Sequence, residues 1–214
     1  MKKVVIFDWG GIVESHENNL EDLIKVKKRT IKKFNPSLDE QEILKGWTNY
    51  TPRGHKAGAV NDPEEIKEWL DSIEKNLNII VPHEEFIKAY EEEGTKVKYY
   101  KEVVDFAHSL KGKCEIAILS NLLPIDKKRI NDQYDLSKFD HVYLSFELGL
   151  RKPDPKIYEY VLNDLQVQAE NILFIDDDPE NIKEASLHKW NTCQAFGYEL
   201  DKIKHSVEEF LSQE

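Results

Sequence analysis

The stretch Val4-Val5-Ile6-Phe7-Asp8-Trp9-Gly10-Gly11-Ile12-Val13 decides how this 214-residue chain is read. Apolar residues, two of them valines, run into an acid and a glycine pair, the pattern of a buried parallel strand that ends in a tight turn. Asp8 then stands at a strand's carboxyl end. In open α/β sheets ligands bind along that edge, so Asp8 reads either as a nucleophile or metal ligand, or as an acid that caps a turn.

Outward from this strand the chain changes character. From about Asn19 to Glu93 the apolar residues follow helical spacing, with Leu20, Leu23, Ile24, Ile31 and Phe34 ahead of a stop at Asn35-Pro36. Ser37-Leu38-Asp39-Glu40 predicts a capping box for a helix running to about Trp47. Asp62-Pro63 opens a third helix, and Pro82 to Glu93 forms a fourth closed by Gly94. Between the second and third lies a basic loop, Tyr50 to Ala59, containing Arg53, His55 and Lys56. It is either a solvated connector or a contact for an anionic substrate.

From about Tyr99 strands and helices alternate. A helix from Glu102 to Leu110, with Gly112 past its end, precedes a strand over Cys114 to Leu119 that finishes in Ser120-Asn121. A helix around Asp126 to Tyr134 leads to a strand over His141 to Ser145. After Gly149-Leu150-Arg151-Lys152-Pro153, Asp154-Pro155 starts a helix whose stripe is Ile157, Tyr158, Val161, Leu162 and Leu165. Asn171 to Ile175 is the next strand, ending in Asp176-Asp177-Asp178, and Pro179 opens a helix through Ala185. A strand over Thr192 to Phe196 and a helix from about Asp201 complete the series. Strands separated by helices pair in parallel through right-handed crossovers, so the fold class is α/β. The helical stretch leaves and re-enters around Val13 to Asn18 and Gly94 to Lys98, giving an α/β core of residues 1–15 and 97–214 and an all-helical cap of residues 16–96. Such a lid can exclude water from a reacting centre and carry specificity.

Composition narrows the function. A formal net charge of −11 repels a nucleic-acid backbone. The apolar run ending at Asp8 is too short for a signal segment or membrane span, so the expected location is cytoplasmic, away from membranes. Cys114 and Cys193 fall in predicted core strands, where a free thiol acts as a small apolar side chain. Trp69 and Trp190, like Trp47, line an interface or belong to the core.

Parallel strands bring Asp8, Ser120 with Asn121, Lys152, and Asp176 with Asp177 to one rim. Carboxylates there can hold a magnesium ion, which takes oxygen ligands, while an ammonium and a hydroxyl can hold phosphate oxygens. Phosphoryl transfer needs that division of labour, because its main demand is to position the groups and neutralise charge around an in-line nucleophile.

In these stretches the sequence resembles the haloacid dehalogenase-like hydrolases, most of which are magnesium-dependent phosphatases with a Rossmann-like parallel sheet. Phe7-Asp8-Trp9-Gly10-Gly11-Ile12-Val13 is similar to the family's first motif, Leu119-Ser120-Asn121 to the second, Gly149 to Pro155 to the third, and Phe174 to Asn181 to the fourth. The helical insert after the first strand matches that family's cap placement. The resemblance implies that Asp8 is the nucleophile that forms an aspartyl-phosphate and also a Mg2+ ligand. It implies that Ser120 hydrogen-bonds the phosphoryl group with Asn121 beside it, and that Lys152 neutralises charge. By the same resemblance Asp177 binds the metal with Asp176 in support, Gly10 offers its backbone carbonyl, and Asn181 stands behind them. Arg53 is a candidate substrate contact from the basic loop. The implied partner is a small phosphorylated metabolite, with the protein a monomer or homodimer.

One position departs from the family pattern: Gly10 stands where a typical phosphatase carries a second Asp that protonates the leaving group. That sequence resembles a branch which includes bacterial phosphatases of sugar 1-phosphates, whose anomeric leaving group needs less protonation. Haloacid dehalogenases also lack the second Asp, but a metal-free attack on carbon has no use for the Asp176-Asp177 pair. A catalytically silent relative that binds a phosphorylated ligand or a protein is the remaining alternative.

Overall fold

Val4–Phe7 forms β1, and all four of its side chains are fully buried because the strand lies in the middle of the sheet. The computed structural model describes residues 2–14, 21–43, 63–94, 99–122, 130–131 and 134–213. The other strands are β2 (Glu115–Ser120), β3 (His141–Leu144), β4 (Ile172–Asp176) and β5 (Asn191–Gln194). They pair in parallel in the order β3-β2-β1-β4-β5, with Val4 opposite Glu115 on one side and Ile172 on the other. The described helices are α1 (Glu21–Phe34), α2 (Pro63–Leu77), α3 (His83–Gly94), α4 (Lys101–Ser109), α5 (Ser145–Leu148), α6 (Pro155–Leu165), α7 (Pro179–Leu187) and α8 (Leu200–Ser212). This is the α/β parallel sheet that the alternation predicts.

The two-residue period of β1 divides the core. Val5 and Phe7 pack with Ile116, Ile118, Leu173 and Ile175 against Val103 and Ala107 of α4 and Val207 of α8. Val4 and Ile6 pack with Ala117, Leu119 and Phe174 against Ile157, Tyr158 and Val161 of α6 and Ala185 of α7. A third apolar cluster draws only on the helical segment, joining Ile31, Ile43, Leu70, Ile73, Phe86 and Tyr90. Where that segment meets the sheet region, Glu14 bridges Tyr99 in antiparallel fashion, and the Tyr100 N–H donates to the Val13 carbonyl at 2.8 Å.

Several boundaries differ from the sequence reading. Ser120 and Asp176 are the last residues of β2 and β4, inside the ladder, and Cys114 precedes β2. Both cysteines are free. Gly94 is the last residue of α3. The capping box lies two residues further on: Asp39 accepts from the Gln41 N–H, and Glu42 accepts from the Asp39 N–H. Ser37 does not cap: its N–H and hydroxyl both donate to Asn35 Oδ1, in an Asx turn that lies ahead of the helix start. Trp190 is core, 4% exposed. Trp47, Asp62 and most of the 126–134 segment lie outside the described residues.

The loop after β5 clamps the turn after β1. The Gly197 N–H donates to the Gly11 carbonyl at 2.8 Å, and a Cβ on Gly197 would stand 2.2 Å from both the Ile12 carbonyl and the Tyr100 ring. A carbonyl in that turn cannot step aside as a flexible side chain would. Gly197→Ala is therefore expected to destabilise the protein by about 1 to 3 kcal/mol through overpacking, read as a lower urea midpoint.

Candidate active site

The sheet order reverses around β1, since the chain runs outward to β2 and β3 and then crosses to β4 and β5. The carboxyl ends of β1 and β4 flank the resulting crevice, the usual ligand position in such sheets. Asp8 is the first residue beyond β1 and stays attached to the ladder, its N–H donating to the Ile175 carbonyl at 2.8 Å. Its Oδ1 accepts from the Trp9 N–H at 2.6 Å. Trp9 is fully buried against Tyr99 and Tyr134, edge-on to both rings.

Lys152 is the hub of the cluster. Its Nζ lies 2.9 Å from Asp8 Oδ1 and 2.5 Å from Asp176 Oδ2. The lysine is 1% exposed, Asp176 0% and Asp8 7%. Burial pulls the ammonium's pKa down, but the charges of Asp8 and Asp176 overcome it and the net direction is up. Asp176 is raised first by burial and then by the Asp8 charge, with Lys152 working the other way. Its Oδ1 accepts from the Asp178 N–H at 2.8 Å, and the Asn181 amide donates to both of its oxygens at 3.1 Å.

The acidic triplet is thus divided among three tasks. Asp176 holds Lys152, Asp178 caps α7 by accepting the Glu180 N–H, and Asp177 is left facing the turn after β1. Burial pushes the Asp177 carboxyl up to about 7, with the charges of Asp8 and Asp176 adding to the effect. Gly11, at φ +71°, makes room for it: a Cβ there would sit 2.4 Å from the Asp177 carboxyl carbon. Oxygens of Asp8, Asp176 and Asp177 all lie within 4.8 Å of one another. Three carboxylates so close, with one ammonium among them, form an all-oxygen donor set that suits a hard divalent cation.

The expected residues Asp8, Lys152, Asp176 and Asp177 are therefore brought together. Ser120 is buried at the last position of β2, and Gly10 is half-buried beside Glu14, to which its backbone bridges. Asn121 spends its side chain on the Lys152 backbone, accepting from its N–H at 2.9 Å and donating to its carbonyl at 2.8 Å. Arg53, His55 and Lys56 lie outside the described residues. Sequence reasoning overlooked Gly11. Within the acidic triplet the N-cap role falls to Asp178, whose Asp-Pro pattern repeats that of Asp154-Pro155 at the start of α6.

A parallel sheet with acids and a buried lysine at its carboxyl rim places the protein among α/β enzymes whose chemistry sits at strand ends. The chain belongs to the haloacid dehalogenase-like hydrolases, whose family model matches residues 2–187. It is 25% identical over 198 residues to a D-ribitol-5-phosphate phosphatase of Bacteroides thetaiotaomicron, covering 85% of this chain and 86% of that protein. A sesquiterpene phosphatase of Aspergillus oryzae is 24% identical over 186 residues, covering 84% and 83%. Among solved structures, a haloacid dehalogenase-family enzyme of Bacteroides thetaiotaomicron, in complex with magnesium and inorganic phosphate, superposes with a TM-score of 0.59 at 22% identity, covering 92% of this chain and 96% of that one.

The raised Asp177 gives a pH signature. A free Asp titrates near 3.9, so between that value and about 7 the metal-free folded chain keeps a proton that the unfolded chain has released. Stability from this group then falls as pH rises through that window. The urea midpoint of the metal-free protein is expected to fall between about pH 5 and 7 relative to that of Asp177→Asn. Magnesium added at neutral pH should raise the wild-type midpoint and leave that of Asp177→Asn nearly unchanged.

Proposed function

We propose that this hydrolase is a magnesium-dependent phosphatase of a small phosphorylated metabolite, acting in the cytoplasm through an aspartyl-phosphate on Asp8. The observation that carries the reading is the crowding of Asp8, Asp176 and Asp177 around one buried ammonium. Asp8, Asp177 and the Gly10 carbonyl would hold the ion, because the Asp176 oxygens are already engaged by Lys152, Asn181 and Asp178. When bound, magnesium supplies positive charge to the phosphate oxygens and orients them for attack. The phosphatase names of the two curated relatives support the same class. Dehalogenation is disfavoured because an organic acid approaching this site meets three carboxylates.

In the first half-reaction an Asp8 oxygen forms a bond to phosphorus as the ester P–O bond breaks, and the electron pair leaves with the substrate oxygen. Lys152 offsets the charge on Asp8 and the phosphoryl group, and the Ser120 hydroxyl donates to a phosphoryl oxygen. In the second, water attacks phosphorus as the bond between phosphorus and the Asp8 oxygen breaks, giving inorganic phosphate, the Asp8 carboxylate and a proton that passes to solvent. Asp8→Asn removes the attacking oxygen while nearly preserving shape. It is expected to abolish turnover with the fold retained, and chelation of divalent cations should stop the wild-type enzyme. Both are checked by phosphate release from a panel of phosphate esters.

Residues 1–15 and 97–214 form the catalytic core in this reading, and residues 16–96 the cap. The segment's private apolar cluster and the pairing of its two connections at Val13, Glu14, Tyr99 and Tyr100 support the division. Among the described residues no helix is long and apolar enough to cross a membrane.

Gly10 sets the preference among substrates. With no acid at that position to protonate the departing oxygen, aryl and anomeric phosphates such as a hexose 1-phosphate are expected to turn over faster than primary alkyl phosphates. Gly10→Asp should raise rates on the alkyl esters selectively, by up to the ~10² to 10⁴ that a positioned general acid supplies. A rate series over leaving-group acidity checks this, and a flat wild-type series would mean that another group delivers the proton.

A further inference from the structure

Lys152 reaches the site by a different route from the acids. Asp8 is hydrogen-bonded to the sheet and Asp176 lies within it, whereas Lys152 follows the end of β3 at Leu144 only after α5 and the left-handed Gly149. Its side chain is nevertheless 1% exposed, and its ammonium contacts both carboxylates. A loop of that length holds a long side chain so closely only if its backbone is fixed from elsewhere, because each free residue costs about 1 to 2 kcal/mol of ordering entropy.

The fixing contacts come from the end of β2. The Asn121 side-chain amide pairs with the Lys152 backbone as a neighbouring strand would, accepting at 2.9 Å from its N–H and donating at 2.8 Å to its carbonyl. Leu122 repeats the arrangement at the loop's other end. Its N–H donates to the Ser145 hydroxyl oxygen at 3.1 Å, and that hydroxyl donates back to the Leu122 carbonyl at 3.1 Å. Two adjacent residues thus tie down both ends of the segment that carries Lys152.

We propose that Asn121 is a positioning residue for Lys152 and not a substrate contact. The amide holds the Lys152 peptide, the peptide sets the root of the side chain, and the side chain places the ammonium between Asp8 and Asp176. The proposal rests on the reading of Lys152 as the countercharge to Asp8 in phosphate-ester hydrolysis.

The test uses Asn121→Ala, whose exposed side chain makes a folded variant the expected product, with Ser145→Ala as a second variant at the other tie. Two measurements are made on each: steady-state kinetics on an aryl phosphate, and reductive methylation of lysines read by mass spectrometry. Misplacing a catalytic group by about 1 Å can cost ~10²-fold. Asn121→Ala is therefore expected to lower kcat by ~10- to 10²-fold with KM little changed, and to expose Lys152 to methylation from which the wild type protects it. Ser145→Ala should do both more weakly. A raised KM with kcat and Lys152 protection unchanged would make Asn121 a substrate contact and overturn the proposal, as would wild-type behaviour in both measurements. Failure of the wild type to hydrolyse any ester would instead remove the phosphatase reading, and the methylation comparison, which needs no turnover, would still decide whether Asn121 positions Lys152.

Discussion

The ammonium of Lys152, enclosed between Asp8 and Asp176, is the constraint on which the rest of the site depends. Stripping water from a single ion costs several kcal/mol, and the cost is recovered only where opposite charges and hydrogen bonds surround it closely. Here the surround comes from two adjacent strands, β1 and β4, whose register, with Phe7 opposite Ile175, sets Asp8 level with Asp176 at the rim. Removing the lysine would leave two buried carboxylates uncompensated, typically a loss of about 3 to 5 kcal/mol. The same enclosure ties structure to chemistry, because the acid held in place by the ammonium is the one offered as nucleophile.

Negative charge still exceeds positive charge in the crevice. Asp8 and Asp176 against Lys152 leave one net negative charge when both acids are ionised, and an ionised Asp177 would add another. The chain tolerates this by two local devices. Asn181 and the Asp178 N–H donate to Asp176, and the missing side chain at Gly11 lets the Asp177 carboxyl approach the turn. An excess of carboxylate in a nearly dry pocket is the electrostatic counterpart of a cation site.

Much of this was legible in the sequence because its physical basis is local. Strand-length apolar runs closed by polar residues gave β1, β2 and β4, and with them the presence of Asp8, Ser120 and Asp176 on one rim. Asp-Pro pairs marked the starts of α6 and α7. What remained hidden depends on partners distant in sequence. Nothing near Asn121 shows that its amide will face a peptide bond 31 residues later. Of the glycine pair, only packing distinguishes Gly11, which accommodates Asp177, from Gly10, where composition draws the eye. The displaced capping box starts at Asp39, while Ser37 turns to an Asn35 side chain that the pattern Ser-x-x-Glu ignores.

The hydrogen bond from Tyr100 to Val13 brings the two ends of the intervening helical segment side by side. To the sheet, everything between those residues is a closed loop, and the free energy of closing a loop grows only logarithmically with its length, by about 0.6 kcal/mol per doubling. Insertions, deletions or wholesale exchange of that segment therefore cost the sheet almost nothing in chain entropy. That segment is free to diverge, while the register that sets Asp8 level with Asp176 stays as it is.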